Sequence, residues 1–195
     1  MTSIKPAIMA IVAFTAMSLV CSGISAQSIK SGLPQLDTLH VLHIDFNGQS
    51  REGVIICNKA ITKDLQEIFA ELYRQRYPIE QIRPISEYNN NDESSMQANN
   101  TSCYCHRTIA NSTKISKHAS GLAIDINPLY NPCVRRMKNG SLHVEPSTAK
   151  PYVDRNKKFK YKITKHDLCY RLFIEHGFSW GGSWRSLKDY QHFEK

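Results

Sequence analysis

The sequence predicts an α+β domain with an antiparallel sheet, and three observations support this. Short segments rich in β-branched and apolar residues alternate with two segments of helical periodicity. No repeating βαβ rhythm joins them, which disfavours a doubly wound parallel sheet. A length of 195 residues with 41% hydrophobic content fits one compact domain.

The amino-terminal segment, residues 1–26, has the layout of a secretory signal peptide. A positive charge at Lys5 precedes an apolar run from Ala7 to Cys21, and small polar residues follow up to Ala26. The run is shorter than the roughly 20 residues of a membrane-spanning helix, so we expect no transmembrane segment in the mature chain. We predict export to the periplasm or cell envelope. Lipid anchoring at Cys21 is the alternative.

The chain is basic, with a formal net charge of +8 at neutral pH. Removal of residues 1–26 takes away Lys5 and no acidic residue, so the mature chain stays basic. Positive charge outside the membrane suits contact with anionic polymers such as the cell wall. We expect no nucleic-acid partner, because the Lys and Arg residues are dispersed and an export signal takes the chain away from the genome. The sequence leaves the oligomeric state open.

Five cysteines follow the signal segment, and their odd number leaves at least one unpaired. They are Cys57, Cys103, Cys105, Cys133 and Cys169. The spacing of the central cysteines matches no established zinc pattern. Disulfides or buried thiols are therefore expected.

The first elements are predicted to be a hairpin and a helix. Residues 39–46 and 54–57 read as strands separated by a turn at Asn47-Gly48 and at residues 51–53. Asn58 is a plausible cap for a helix whose apolar residues recur at helical spacing from position 61 to 73.

The later elements are predicted from shorter signals. Residues 82–88 read as a strand, and the polar stretch 89–102 reads as a loop. A second helix is expected to begin at Thr164 as cap, with Asp167 three residues on, and to stop at Gly177.

The motif around His118 and Asp125 points to metal chemistry. The two residues lie seven positions apart, so on a continuous strand they would face opposite sides. A turn near Ser120 and Gly121 would bring them together, and the alternation of residues 122–127 predicts a strand that leaves Asp125 facing a cleft.

The carboxyl-terminal segment supplies a third donor, His192, three residues after Asp189. A catalytic zinc site keeps three protein ligands, of nitrogen or carboxylate oxygen, and one open position. His118, Asp125 and His192 meet that number. We therefore predict one zinc ion per chain.

These motifs resemble the VanY-type zinc peptidases, the family of D-alanyl-D-alanine carboxypeptidases and L-alanyl-D-glutamate endopeptidases. The resemblance rests on Ser-x-His-x-x-Gly-x-Ala-x-Asp at 116–125 and Asp-x-x-His at 189–192. The segment 180–184 is similar as well. The resemblance implies a hedgehog/D,D-peptidase-like fold, with residues 80–195 as the zinc peptidase catalytic core and residues 27–79 as strands and a helix of the same domain.

The resemblance also implies roles for individual residues. The metal ligands would be His118, Asp125 and His192, and Asp189 would be the catalytic base. Substrate contacts would come from Arg107, which could also stabilise charge in the reaction, and from Ser116, Trp180 and Trp184. The implied reaction is hydrolysis of amide bonds in peptidoglycan peptides by metal-activated water. The alternative is a non-catalytic, zinc-stabilised module that binds cell wall or protein, and Asp189 favours the enzyme.

Overall fold

The computed structural model describes residues 33–108 and 114–195, which form an α+β arrangement of small sheets and short helices. The predicted signal segment, including Cys21, lies outside the described residues. Within them, no helix has the length and apolarity needed to cross a bilayer. The helices are α1 (Thr62–Arg74), α2 (Asp92–Gln97) and α3 (Leu168–Glu175). The strands are β1 (Leu36–Ile44), β2 (Ser50–Asn58), β3 (Gln81–Ile82), β4 (Asn100–Thr101), β5 (Ala123–Asp125), β6 (Cys133–Arg136), β7 (Leu142–Glu145), β8 (Ser179–Trp180), β9 (Lys188–Asp189) and β10 (His192–Glu194).

The hairpin of β1 and β2 confirms the first prediction, although both strands are longer than the apolar signal indicated. They pair antiparallel from Leu36 opposite Asn58 to Ile44 opposite Ser50. The Asp45 carboxylate accepts the backbone N–H groups of Asn47 and Gln49, each at 2.9 Å, which closes the turn. The strands extend because polar residues continue the pairing on their exposed faces.

Helix α1 buries one apolar stripe against the hairpin. Leu65, Ile68, Phe69 and Leu72 recur at helical spacing and are at most 1% exposed. Asn58 caps the 3₁₀ turn Lys59–Ile61, which precedes α1, and does not cap α1 itself. The Asn58 side chain accepts the N–H of Ala60. The α-helix itself begins at Thr62.

The segment from 82 to 102 differs from both predictions made for it. β3 ends at Ile82, and Pro84 then precedes a 3₁₀ turn, Ile85–Tyr88, because proline cannot donate a hydrogen bond to a continuing strand. The predicted loop contains α2 and β4. Asn91 caps α2 by accepting the N–H of Ser94 at 2.9 Å.

Helix α3 is confirmed with a different cap. Asp167, not Thr164, accepts the first free N–H group, that of Cys169, at 2.8 Å. Gly177 follows the helix with a positive φ of 80°, as expected for a stop. Phe173 of this helix stacks on Phe193 of β10 with ring centroids 4.3 Å apart.

Two antiparallel three-stranded sheets position the residues of interest, which confirms the antiparallel prediction. One has the order β5-β10-β8 and the other β7-β6-β9. Asp125 lies opposite His192 in the first sheet, and Cys133 lies opposite Asp189 in the second. The sheet register therefore brings the segment around Asp125 next to the carboxyl-terminal segment that contains Asp189 and His192.

All five cysteines within the described residues are buried and carry free thiols. The expectation of buried thiols is thus confirmed for this part of the chain. Burial raises the pKa of each of these thiols, so they stay protonated at neutral pH.

Candidate metal centre and active site

The turn after His118 shapes the first half of the site, as predicted. Ser116 accepts the N–H of His118 and begins the 3₁₀ turn Lys117–Ser120. Gly121 follows with φ of 66°, and a Cβ atom there would lie 2.7 Å from the backbone nitrogen of Asn58. Glycine is therefore required where the chain reverses into β5.

His118, Asp125 and His192 converge on one point and are 2%, 4% and 6% exposed. Nε2 of His118 lies 3.1 Å from Nδ1 of His192 and 3.3 Å from Oδ2 of Asp125. Nδ1 of His192 lies 3.1 Å from Oδ1 of Asp125. Donors bound to a tetrahedral zinc at about 2.0–2.2 Å lie about 3.3–3.6 Å apart, so the distance of 3.3 Å falls in this range and the two of 3.1 Å lie just below it.

Outer contacts fix which ring nitrogens face inward. Nδ1 of His118 lies 2.6 Å from the backbone oxygen of Cys103, which can only accept, so this nitrogen carries the proton. Nε2 of His192 faces the Glu194 carboxylate at 3.2 Å and donates to it. In the neutral form of each ring, the inward nitrogen therefore presents a lone pair beside a carboxylate, an arrangement that fits a cation between them.

The charges around this point also favour a positive group. Burial opposes a charge on His192, but hydrogen bonds to Asp125 and Glu194 outweigh it and raise the pKa of His192 to about 10. Burial also opposes a charge on Asp125, yet the two imidazoles hold its pKa well below the ordinary value. The donor set thus stabilises a carboxylate together with positive charge.

The three donors open onto a cavity of about 620 Å³. Other residues of its wall include Asp189, Arg107 and Gln191. In the part of the chain that the structure describes, three buried side-chain atoms lack a hydrogen-bond partner: Nε of Arg107, Oδ1 of Asp189 and Oε1 of Gln191. All three belong to this wall, where a polar ligand could satisfy unpaired groups.

Asp189 lies in the same cavity wall as the three donors, and Gly181 lets its strand approach closely. A Cβ atom on Gly181 would lie 2.7 Å from the backbone oxygen of Asp189 and 2.8 Å from its Cβ. Burial raises the pKa of Asp189 to about 6, with His192 opposing this shift and Asp125 adding to it. A carboxylate with a pKa near neutral is suited to accept and return a proton.

Comparison with known proteins matches the same region. A family profile described as D-alanyl-D-alanine carboxypeptidase covers residues 110–195. Residues 110–195 are thus similar to the VanY-type peptidases, which supports the resemblance stated from the motifs. The match supports a peptidase that acts on cell-wall peptides. No curated protein and no solved structure was similar enough to count as a match.

Two predicted substrate contacts line the cavity beside the three converging donors. Arg107 lies just before the matched segment, with Nε 2.8 Å from Oδ2 of Asp92, although its N–H is not aligned for a hydrogen bond. Ser116 is 5% exposed, and its hydroxyl accepts the N–H of His118 at 3.3 Å. Ser116 therefore holds the first ligand in place as well as lining the wall.

The two tryptophans of the segment 180–184 differ in position. Trp184 lines the cavity, and its ring centroid lies 5.1 Å from that of His192. Trp180 is 6% exposed in the hydrophobic core, where Nε1 donates to the backbone oxygen of Tyr190 at 3.0 Å. The indole of Trp180 is therefore used in packing and does not line the cavity, and its contact with substrate stays a prediction.

Sequence reasoning missed residues of the cavity that carry no motif signal. Asp92 went unnoticed because its segment looked like a loop, and Gln191 because a neutral amide between two motif residues has no distinctive pattern. Glu194, by contrast, is detectable from the sequence, since it lies two positions after His192 and strand periodicity places both on one face.

Proposed function

We propose that this chain is an exported, zinc-dependent peptidase that hydrolyses amide bonds in peptidoglycan stem peptides. Its activity is of the D-Ala-D-Ala carboxypeptidase or the L-Ala-D-Glu endopeptidase type. Its fold is hedgehog/D,D-peptidase-like. One observation carries the proposal: three buried donors spaced as zinc ligands lie in the same cavity wall as a buried carboxylate whose pKa is close to neutral. The profile match supports the peptide substrate class.

His118, Asp125 and His192 would hold the zinc ion. A bound zinc ion supplies Lewis acidity towards a peptide carbonyl and lowers the pKa of a water to about 7. Two neutral imidazoles and one carboxylate leave net positive charge at the centre, which is what polarising a carbonyl requires.

The remaining residues handle protons and charge. Asp189 takes the proton of the attacking water and passes it to the leaving amine, so both halves of the hydrolysis use one carboxylate. Arg107 stabilises negative charge on the substrate or on the tetrahedral intermediate. No covalent acyl-enzyme is needed.

A second candidate is a non-catalytic module that uses the same zinc centre to bind cell wall or protein. The core-like burial of all three donors favours it, since structural zinc sites are also buried. Asp189 argues against it, because a binding module has no need for a carboxylate with a raised pKa beside the metal centre.

The decisive experiment compares Asp189→Asn and Asp189→Ala with the parent protein. Both variants should keep zinc and lose peptidase activity on defined muropeptides by about 10²- to 10⁴-fold, the usual contribution of a positioned general acid–base group. Zinc content and cleavage products are measured together. Asp154→Asn, an acidic position away from the cavity wall, is the matched control.

Full activity of zinc-loaded Asp189→Ala would refute the role of that residue. Inactivity of the parent on every wall peptide would favour the binding module. The export part of the proposal is tested by amino-terminal sequencing, which should show that the secreted protein begins near Gln27. A mature form with a lipid-modified Cys21 would contradict that site of cleavage.

A further inference from the structure

Glu194 contacts the metal centre without being one of its donors. Its Oε2 atom lies 3.2 Å from Nε2 of His192, the ring nitrogen that faces away from the other two donors. Both residues belong to β10, where alternate side chains share one face of the strand. Pairing of Glu194 with Ala123 of β5 and Ser179 of β8 fixes the backbone that carries this carboxylate.

The two imidazoles of the centre are held by different kinds of partner. His118 donates to a backbone oxygen, that of Cys103, which adds no charge. His192 donates to a carboxylate, which brings a second negative charge close to the centre after Asp125. A carboxylate partner fixes the ring orientation and makes the opposite nitrogen a stronger donor.

We propose that Glu194 is a positioning residue that sets the metal affinity of the centre through His192. This inference rests on the metal site of the proposed function. Glu194 holds the proton of His192 on Nε2, so that Nδ1 presents its lone pair beside Nε2 of His118 and Oδ1 of Asp125. Its charge also offsets part of the positive charge that a divalent ion brings into a buried site.

Glu145 provides a matched control on the same cavity wall. Its Oε1 atom lies 3.0 Å from Nε2 of His143, so this pair repeats the carboxylate–imidazole contact of Glu194 and His192. His143 is half-exposed and is not one of the three converging donors. Removal of Glu145 thus takes the same charge from the same cavity without touching a ligand.

The experiment measures zinc affinity by competition with a chromophoric chelator, using the full mature chain. Glu194→Ala should weaken the zinc Kd by about 10- to 100-fold, the usual effect of losing such an outer partner. Glu194→Gln should fall between this variant and the parent, because the amide oxygen still accepts from Nε2 but the charge is gone. Glu145→Ala should leave the Kd within about twofold of the parent.

A second readout separates positioning from general loss of structure. In the zinc-loaded parent, the Nε2 proton of His192 should give a downfield imidazole resonance that exchanges slowly with water. This resonance should be lost in Glu194→Ala and kept in Glu145→Ala. Thermal unfolding of the zinc-free variants checks that each of them is folded. If Glu194→Ala does not fold, the zinc affinity of Glu194→Gln still tests the inference.

Unchanged zinc affinity in both Glu194 variants would overturn the inference while leaving the metal site intact. Equal weakening in Glu145→Ala would also overturn it, since the effect would then reflect cavity charge alone. A parent protein that binds no zinc would refute the metal site of the proposed function itself. The two failures are therefore distinguishable without measuring peptidase activity.

Discussion

Gln191 shows how a single residue of the cavity is left incompletely satisfied. Its side chain is 2% exposed, its Nε2 contacts only the weakly accepting sulfur of Met96 at 3.5 Å, and its Oε1 has no partner. A buried acceptor without a donor costs about 1–3 kcal/mol, so removing it is not expected to destabilise the fold. Gln191→Leu should unfold in urea at the same concentration as the parent or a higher one.

The control for this prediction is Gln81→Leu, which changes a glutamine bonded at both ends. Nε2 of Gln81 donates to the backbone oxygen of Ala98, and its Oε1 accepts from the hydroxyl of Tyr88 at 3.1 Å. Losing these bonds should lower the free energy of unfolding by about 1–2 kcal/mol. If Gln191→Leu is destabilised as strongly as Gln81→Leu, Gln191 is a structural residue with a satisfied amide.

At the scale of elements, the approach of β9 to the 3₁₀ turn at Gly181 controls where Asp189 lies. Gly181→Ala would place a Cβ within 2.8 Å of two Asp189 atoms, one of them backbone, so the strand must move. We expect about 1–3 kcal/mol of lost stability and at least tenfold lower peptidase activity, because the proposed base is displaced. Unfolding midpoints and muropeptide cleavage test this.

Gly140→Ala serves as the comparison for Gly181→Ala. Its Cβ would meet nothing within 4 Å, and its φ of 83° alone should cost about 1–2 kcal/mol. Activity of the folded Gly140→Ala protein should match that of the parent. Parental activity in Gly181→Ala would show that the position of Asp189 tolerates the shift.

The elements also show what the sequence could predict. Helix α1 was predictable because Leu65, Ile68 and Leu72 repeat the helical periodicity over several turns. Helix α2 was missed because its polar composition resembles a loop, and only the cap geometry at Asn91 distinguishes them. Strands of two residues, such as β9, are too short to show any periodicity, so their pairing depends on tertiary contacts.

The site was more predictable than its surroundings. His118, Asp125 and Gly121 carry a spacing that needs a turn, and the structure contains that turn. The cavity wall could not be predicted from the sequence. Its ion pair joins Asp92 and Arg107, and no motif or periodicity in the sequence links the segments that carry them. The packing of Trp180 in the core could not be predicted, because an aromatic residue near a motif looks the same whether it packs in the core or faces a ligand.

At the scale of the whole molecule, zinc binding should be coupled to folding. The three donors come from β5, β10 and the turn before β5, so an ion that binds them ties these parts together. Saturating zinc at 100 times its Kd should add about 2.7 kcal/mol to the free energy of unfolding. Thermal unfolding with zinc and with a chelator measures this difference.

His118→Ala and His192→Ala are the variants that test this coupling. Each should lose bound zinc and unfold at the same temperature with or without added zinc. His166→Ala changes an exposed histidine outside the donor set and should respond to zinc as the parent does. Full zinc occupancy in either ligand variant would contradict the ligand assignment.

The separation of the donors along the chain has a consequence for the order of events in synthesis. Asp125 and His192 are sheet neighbours, yet 67 positions divide them in the sequence. A nascent chain that has not reached residue 192 contains two of the donors and lacks the third, His192. At the proposed metal site, binding of the ion is thus a late step that follows synthesis of β10, and a chain truncated before β10 is expected not to retain the ion.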